Sequence, residues 1–385
     1  MRFRLTRGVL PQLLGVLVSL FPSTAPLAGT TGHGWPSAGD SRAAPLAALR
    51  ASAEKLLASG VPGVVVFARR GSETLRIAEG QASLRPHEPL RPTDRFRLGS
   101  VTKTYIAAVV LQLVAEQRLR LRDTVQHWLP GLVPGGARIT VQELLLHRSG
   151  LRDYWGDRRF FAPYRTGHLA YHYTPRQLVR IATSHRPHFA PGTRFAYTNT
   201  GYIVLGLIVE AVTGRPLGVE LRDRIFRPLH LTSTSFGRGT PRDGRSAHGY
   251  ILIGRRLRDA RAMDLSYDWA SGAIVSTAAD VADFYRALLT GRLLPRPFVR
   301  LMTVTAALQK SWYGFGVMKR GLPCGITWGH AGDTPGFAAD VYNSLDGNRQ
   351  SVTLINVDLA GITRPARRMF FRISRNAYCN LTSRR

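Results

Sequence analysis

The chain has 385 residues, 44% of them hydrophobic and 20% charged, which excludes a disordered polymer and leaves room for two domains or one large composite with an ample core. Its formal net charge of +29 invites a nucleic-acid partner, but the arginines are spread along the whole chain, with short clusters at Arg255-Arg256-Arg258 and Arg367-Arg368. No zinc-finger, helix-turn-helix or RNP pattern accompanies them, so no nucleic-acid partner is expected, and the charge is read as solubility and adhesion to anionic wall polymers or membrane surfaces.

Arg2, Arg4 and Arg7 precede an apolar run from Val9 to Phe21, then the small residues Ser23, Thr24, Ala25 and Ala28. That is the pattern of a secretory signal over 1–28, with an uncleaved anchor as the alternative. Residues 29–41, rich in Gly, Ser and Thr, read as a flexible leader. Arg42 to Ser59 predicts a helix closed by Gly60, and Gly63–Arg69 with Glu73–Glu79 predicts a hairpin around Gly71-Ser72. From about 93 to 305 the pattern is helical. Ile106 to Val114 is an apolar run, Thr174-Pro175 and Ser276-Thr277 are helix starts, and Tyr202 to Val212 is a helix ended by Gly214. After Ser311, strands are predicted at Tyr313–Met318, Gly325–Trp328, Gly336–Tyr342 and Ser351–Val357, and a helix at Arg364–Tyr378. The fold class is therefore α/β (α+β): an antiparallel sheet flanked by helices and built from both ends of the chain, about 42–92 and 306–380, around an inserted all-helical domain over about 93–305. In the oxidising compartment that export implies, Cys324 and Cys379, the only cysteines, favour one disulfide, with two buried thiols as the alternative.

The chemistry begins at Ser100-Val101-Thr102-Lys103, which opens the apolar run. Serine and lysine three positions apart at a helix start share one face, one turn apart. A helix apolar on all sides is buried, and burial disfavours the ammonium, leaving a neutral amine to take the serine proton. Only four of the 53 basic residues are lysines, and arginine does not release its proton. Ser52-Ala53-Glu54-Lys55 has the same spacing but polar neighbours, so the nucleophile is assigned to Ser100. Tyr197-Thr198-Asn199 sits between the Pro191-Gly192 turn and the next apolar helix. Its phenol, near a lysine ammonium, is expected to lose its proton readily and shuttle it, and the Asn199 amide to hold a substrate amide. Tyr378-Cys379-Asn380 repeats that pattern but overlaps the cysteine pair. His330-Ala331-Gly332-Asp333 offers a cationic or hydrogen-bonding side chain and a glycine that lets a strand edge approach a substrate. The Asp333 N–H then pairs with that of Ser100 as an oxyanion donor. Lys319-Arg320-Gly321 competes from a turn. His168/His172 and His185/His188 lack an H-E-x-x-H pattern, so no metal is expected.

In this order S-x-x-K, Y-x-N and H-A-G resemble the serine β-lactamase and penicillin-binding-protein superfamily. The likeness is greatest to the class C β-lactamase group and, within it, to soluble exocellular D-alanyl-D-alanine carboxypeptidases. The resemblance spans residues 45–380 and includes Leu144-Leu145-Leu146-His147-Arg148-Ser149-Gly150-Leu151, Trp269-Ala270-Ser271-Gly272-Ala273 and the Cys324/Cys379 pair. It implies a β-lactamase/transpeptidase-like fold over 42–380 that works without a cofactor. Ser100 would be acylated, Lys103 and Tyr197 would handle protons, and Asn199, His330, Gly332 and Asp333 would bind substrate. Trp269 would be a pocket wall or, alternatively, core packing. One departure stands out. The subgroup usually meets a substrate carboxylate with a hydroxyl after the H-T-G triplet and an arginine on the preceding strand, whereas this chain has Asp333 and Met318 there, and a carboxylate repels a carboxylate. The expected function is an exported, monomeric serine hydrolase acting through an acyl-enzyme on D-amino-acid peptides or β-lactams, of the D-Ala-D-Ala carboxypeptidase or β-lactamase type. Esterase, D-aminopeptidase and peptide-cyclising acyl transfer are alternatives within the family. A catalytically silent penicillin-binding or wall-adhesion protein is the alternative outside it.

Overall fold

The computed structural model describes residues 43–237, 245–303 and 312–380; the signal and leader expected over 1–41 lie outside them. Its main sheet has eight strands: β1 (Gly63–Arg70), β2 (Glu73–Leu84), β3 (His87–Pro89), β4 (Met318–Leu322), β5 (Gly325–Gly329), β6 (Ala331–Thr334), β7 (Phe337–Asn343) and β8 (Arg349–Ile355). The order across it is β3-β2-β1-β8-β7-β5-β4, with β6 also pairing with β7. The pairings are antiparallel, so β1 and β8 join the two ends of the chain in register from Val64↔Ile355 to Arg70↔Arg349.

The continuous apolar run of β1 follows from burial on both faces. Val64, Val66 and Ala68 join the core beneath helix α1 (Ala43–Ala58), while Val65 and Phe67 join the larger core on the opposite side. Leu49, Ala53 and Leu56 supply the buried stripe of α1 at helical spacing. The larger core is organised around helix α2 (Thr102–Ala115), whose residues from Thr102 to Leu111 are all buried, and helix α3 (Asn199–Thr213), buried from Asn199 to Val209. Helix α4 (Ala278–Leu289) starts at the Thr277 cap and lies on β1 and β8. The terminal helix α5 (Arg364–Asn380) covers the other side of the sheet beside α1. No single helix among the described residues is long and apolar enough to cross a membrane.

The structure differs from the sequence reading in two places. The inserted part is not purely helical. It carries short strands at Phe96–Arg97, Ser235–Phe236 and Ile274–Ser276 and a hairpin of Tyr250–Ile253 with Arg256–Asp259. Residues 313–317 form a turn rather than a strand, and regular pairing starts at Met318. Gly316 has a φ of +72°, and a Cβ there would lie 2.5 Å from the Ala107 methyl and 2.9 Å from the Lys103 carbonyl oxygen. The alternation of apolar residues in that stretch therefore serves a tight approach to α2. The aromatic segment from Tyr154 to Tyr173 packs largely inward: Tyr154, Phe160, Tyr164 and Tyr173 are buried. Cys324 and Cys379 form a disulfide that ties the β4–β5 turn to the end of α5. Closing a loop of 55 residues is worth about 4 kcal/mol in the chain-entropy account.

Candidate active site

Ser100 lies in a 3-10 turn, Gly99–Val101, that runs directly into α2 and places Lys103 in the first helical turn. The turn is clamped against the sheet. Gly99 has a φ of +52°, and a Cβ on it would lie 3.0 Å from both the nitrogen and the oxygen of Asp333. A Cβ on Gly332 would lie 2.0 Å from the Leu98 oxygen. Both positions demand glycine, and together they set the main chain of β6 against the Ser100 turn. The main chain of Asp333 thereby lies against Gly99, the residue before Ser100.

Lys103 is completely buried. Its Nζ lies 2.9 Å from Ser100 Oγ, 2.7 Å from Asn199 Oδ1 and 2.9 Å from the Ser271 carbonyl oxygen. The last two atoms can only accept. A neutral amine therefore gives its two hydrogens to them and turns its lone pair to the Ser100 hydroxyl, the geometry of a general base. Desolvation brings Lys103 down from 10.5 to about 7, opposed by the negative charges of Asp268 and Asp153. The rings of Tyr197 and Tyr202, 5.0 and 5.6 Å from Nζ, favour the ammonium.

Tyr197 lies beside this pair, but its chemistry differs from the expectation. Burial pushes the phenol well above its ordinary value, Ser100 opposes that only in part, and the hydroxyl makes no hydrogen bond of normal geometry. The phenol stays neutral, a proton donor rather than a phenolate. Asn199 caps the cluster. Its Oδ1 accepts from Lys103 while its Nδ2 and main-chain N–H both donate to Asp153 Oδ2 at 3.0 Å. One amide hydrogen is left for a ligand, so most of what Asn199 does here is to hold the lysine.

His330 is buried and uncharged rather than cationic: desolvation and the Lys103 charge hold it well below 6.5. Its Nδ1 lies 2.5 Å from the Ala331 carbonyl oxygen, which can only accept, so Nδ1 carries the proton and Nε2 accepts from the Tyr313 hydroxyl at 2.9 Å. Asp333 shares a cross-strand position with Ala338, whose side belongs to the core under α1. One of its carboxylate oxygens accepts from the Leu359 N–H at 2.9 Å. Desolvation and the neighbouring Asp358 raise its carboxyl above the usual range; because the residue as a whole is exposed, water moderates that effect. The Trp269 indole packs on Gly206 of α3 and toward Phe236, contacts that account for its partial burial.

Four further residues, none of them given a role of its own by the motifs, complete the cluster. Asp153 anchors Asn199. Asp268 accepts from Thr334 Oγ1 at 2.7 Å and is pushed up to about 6 by burial. Ser271 presents its carbonyl to Lys103. His147 stacks 4.2 Å from the Tyr197 ring and accepts the Thr198 N–H on Nδ1. Asp153 could have been noticed as an acid closely following Ser149-Gly150-Leu151 in an arginine-rich chain. His147 and Ser271 lie inside stretches that carry the family resemblance, but no spacing signals their approach or that of Asp268. No group of three or more His, Cys, Asp or Glu among the described residues is arranged to hold a metal ion.

The family model described as Beta-lactamase matches residues 49–359. The D-stereospecific amidohydrolase from Streptomyces sp. is 36% identical and superposes with a TM-score of 0.76, covering 85% of this chain and 98% of that one. PbpX of Bacillus subtilis (strain 168), a penicillin-binding protein by name, is 26% identical over 298 residues, 77% of this chain and 70% of that protein. The D-aminopeptidase of Brucella ovis is 27% identical over 312 residues, 78% of this chain but 57% of the relative, so the chain spans little more than half of that protein. With Ser100 hydrogen-bonded to the buried Lys103 at the head of its buried helix, and the family model running through most of its length, the chain belongs to the beta-lactamase family of serine hydrolases.

Proposed function

We propose that this protein hydrolyses peptides and amides of D-amino acids that carry a free α-amino group, working as an aminopeptidase or amidase rather than a carboxypeptidase. The observation that carries this is local charge. In a chain of net charge +29, two carboxyl groups, Asp153 and Asp268, act on the base beside Ser100, Lys103, whereas Asp333 and Asp358 have Arg367 near them. Arg97 is already turned to the carbonyls of Arg261 and Met263. Such a site attracts an ammonium and repels a carboxylate. The names of the amidohydrolase and aminopeptidase relatives support the D-configured substrate.

In this mechanism Lys103 Nζ takes the Ser100 proton as Oγ forms a bond to the substrate carbonyl carbon. The resulting oxyanion lies against the N–H groups of Ser100 and Asp333. The C–N bond breaks as the leaving amine takes a proton from Lys103 through the Tyr197 hydroxyl, leaving an ester on Ser100. Water, deprotonated by the same lysine, hydrolyses that ester. Export belongs to the same reading, supported by the leader sequence and the Cys324–Cys379 bond.

The test compares D-alanine p-nitroanilide, its N-acetyl derivative, the L-enantiomer and N-acetyl-D-Ala-D-Ala, beside a Ser100→Ala control. The expected order puts the free D-amine first, with no turnover by the control. Faster release of D-alanine from the acetylated dipeptide would return the protein to the carboxypeptidases. No turnover of any substrate, and no covalent penicillin adduct on Ser100, would make it a silent binder.

A further inference from the structure

Helix α5 has two unlike faces. Ala366, Phe370, Ile373 and Ala377 are buried with α1 in the core on the back of the sheet. Arg364, Arg368, Arg372 and Arg375 are exposed, and their spacing of four, four and three residues places them on successive turns of one face. At about 1.5 Å per residue this stripe is about 17 Å long with a guanidinium about every 6 Å. The helix contains no Asp or Glu, and none of the four arginines has a hydrogen-bond or ion-pair partner among the described residues. By contrast, Arg215, Arg222, Arg224 and Arg227 are neutralised by Glu116, Glu220 and Asp223. An unmatched row of like charges is disfavoured by self-repulsion, and an anionic partner removes that cost.

We infer that the solvent face of α5 is a docking surface for a linear, phosphate-bearing polyanion, which would hold the enzyme by the side of its sheet facing away from Ser100. The guanidinium fork pairs with phosphate oxygens through two parallel hydrogen bonds. Apart from the four arginines, the exposed residues of α5 are Pro365 and Asn380. The half-buried Met369 and Phe371 are packed against the core, which leaves the face little apolar surface to bury in a bilayer, as an interfacial helix requires. Because the Ser100 turn belongs to the core on the opposite side of the sheet, a polymer on α5 leaves the cleft open.

The experiment uses the whole mature protein and fluorescently labelled inorganic polyphosphate, with binding followed by anisotropy at several salt concentrations. A variant with Arg364, Arg368, Arg372 and Arg375 all changed to Gln is compared with one in which Arg120, Arg122, Arg138 and Arg158, exposed on the inserted part, are changed likewise, so both lose the same charge. The α5 variant should bind at least about tenfold more weakly, with a salt slope flatter by about 3, as loss of four phosphate contacts to a single chain requires. The control should change by less than about threefold. Acylation of Ser100 by penicillin should be unchanged in both, which also shows that they fold. Equal losses in the two variants would overturn the proposal in favour of bulk charge. Tighter, α5-dependent binding of anionic vesicles or of duplex DNA would overturn it in favour of a membrane or a nucleic acid.

Discussion

Replacing Lys103 by arginine isolates the proton-transfer step. The drop of the lysine from 10.5 to about 7 corresponds to about 5 kcal/mol against the charged form, at 1.36 kcal/mol for each tenfold change. Below pH 7 the ammonium fills all three of its hydrogen bonds and has no lone pair for Ser100. Acylation should therefore fall about tenfold per pH unit on the acid side and level off above about pH 7. Arginine keeps a positive charge at the same place but cannot accept a proton, so acylation should drop by about 10²- to 10⁴-fold and the inflection should vanish. The same group has a signature in stability. Between about 7 and 10.5 the unfolded chain binds a proton at Lys103 that the native protein does not, so stability rises with pH across that window, and the arginine variant should lack this contribution. Intact-mass measurement of penicillin acylation at a series of pH values, with thermal melts alongside, reads both effects. A flat profile in the native protein, or an inflection near pH 7 that survives in the variant, would refute the assignment of Lys103 as the base.

Other expectations follow from single contacts. Gly332→Ala places a methyl 2.0 Å from the Leu98 oxygen; it should push β6 off the Ser100 turn and cut acylation by about 10²-fold, measured by the same labelling. Asp333→Thr removes a carboxyl that lies on the α1 side of the sheet and should leave KM for the free-amine p-nitroanilide within about twofold, below the scale of an exposed ion pair; a larger rise would place Asp333 in amine recognition. His147 has a φ of +56° and accepts the Thr198 N–H. His147→Asn keeps an acceptor and suits that backbone, so it should stay within about threefold of native kcat, whereas His147→Leu strands a buried N–H and should lose about tenfold in kcat with little change in KM.

What could be read in advance was what is local. The three-residue spacing of Ser100 and Lys103 showed which side chains meet, because a helix start determines that geometry by itself. The apolar run of β1 and the Thr174 and Thr277 caps were visible for the same reason. The charge states were not. Whether His330 is cationic, or Tyr197 a phenolate, depends on how much water the assembled fold removes, and desolvation has no sequence period. Asp153, Asp268, the Ser271 carbonyl and His147 reach the site by tertiary approach from two segments distant in sequence, 147–153 and 268–271, so no spacing announces them. The stretch 313–317 misled for a sharper reason. Its apolar residues alternate as in a strand, but Gly316 is there to let the chain close on α2.

Asp268 is where fold and chemistry meet most directly, and its removal gives a test with a definite sign. Burial drives Lys103 toward neutrality, and Asp268 is the larger of the two charges acting against it. Asp268→Asn keeps an acceptor for Thr334 Oγ1 but deletes that charge. The lysine should then lose its proton more easily, and the acid limb of the acylation profile should move below pH 7. The shift is limited from the other side. Asp268 itself titrates near 6, so in the native enzyme its charge is already fading where the limb begins, and the two groups titrate as a coupled pair. The variant should be more active than the native protein at mildly acidic pH and equal to it on the alkaline plateau. A limb that moves upward, or a plateau that collapses while the fold persists, would mean that Asp268 serves the reaction through substrate or structure and not through the charge of Lys103.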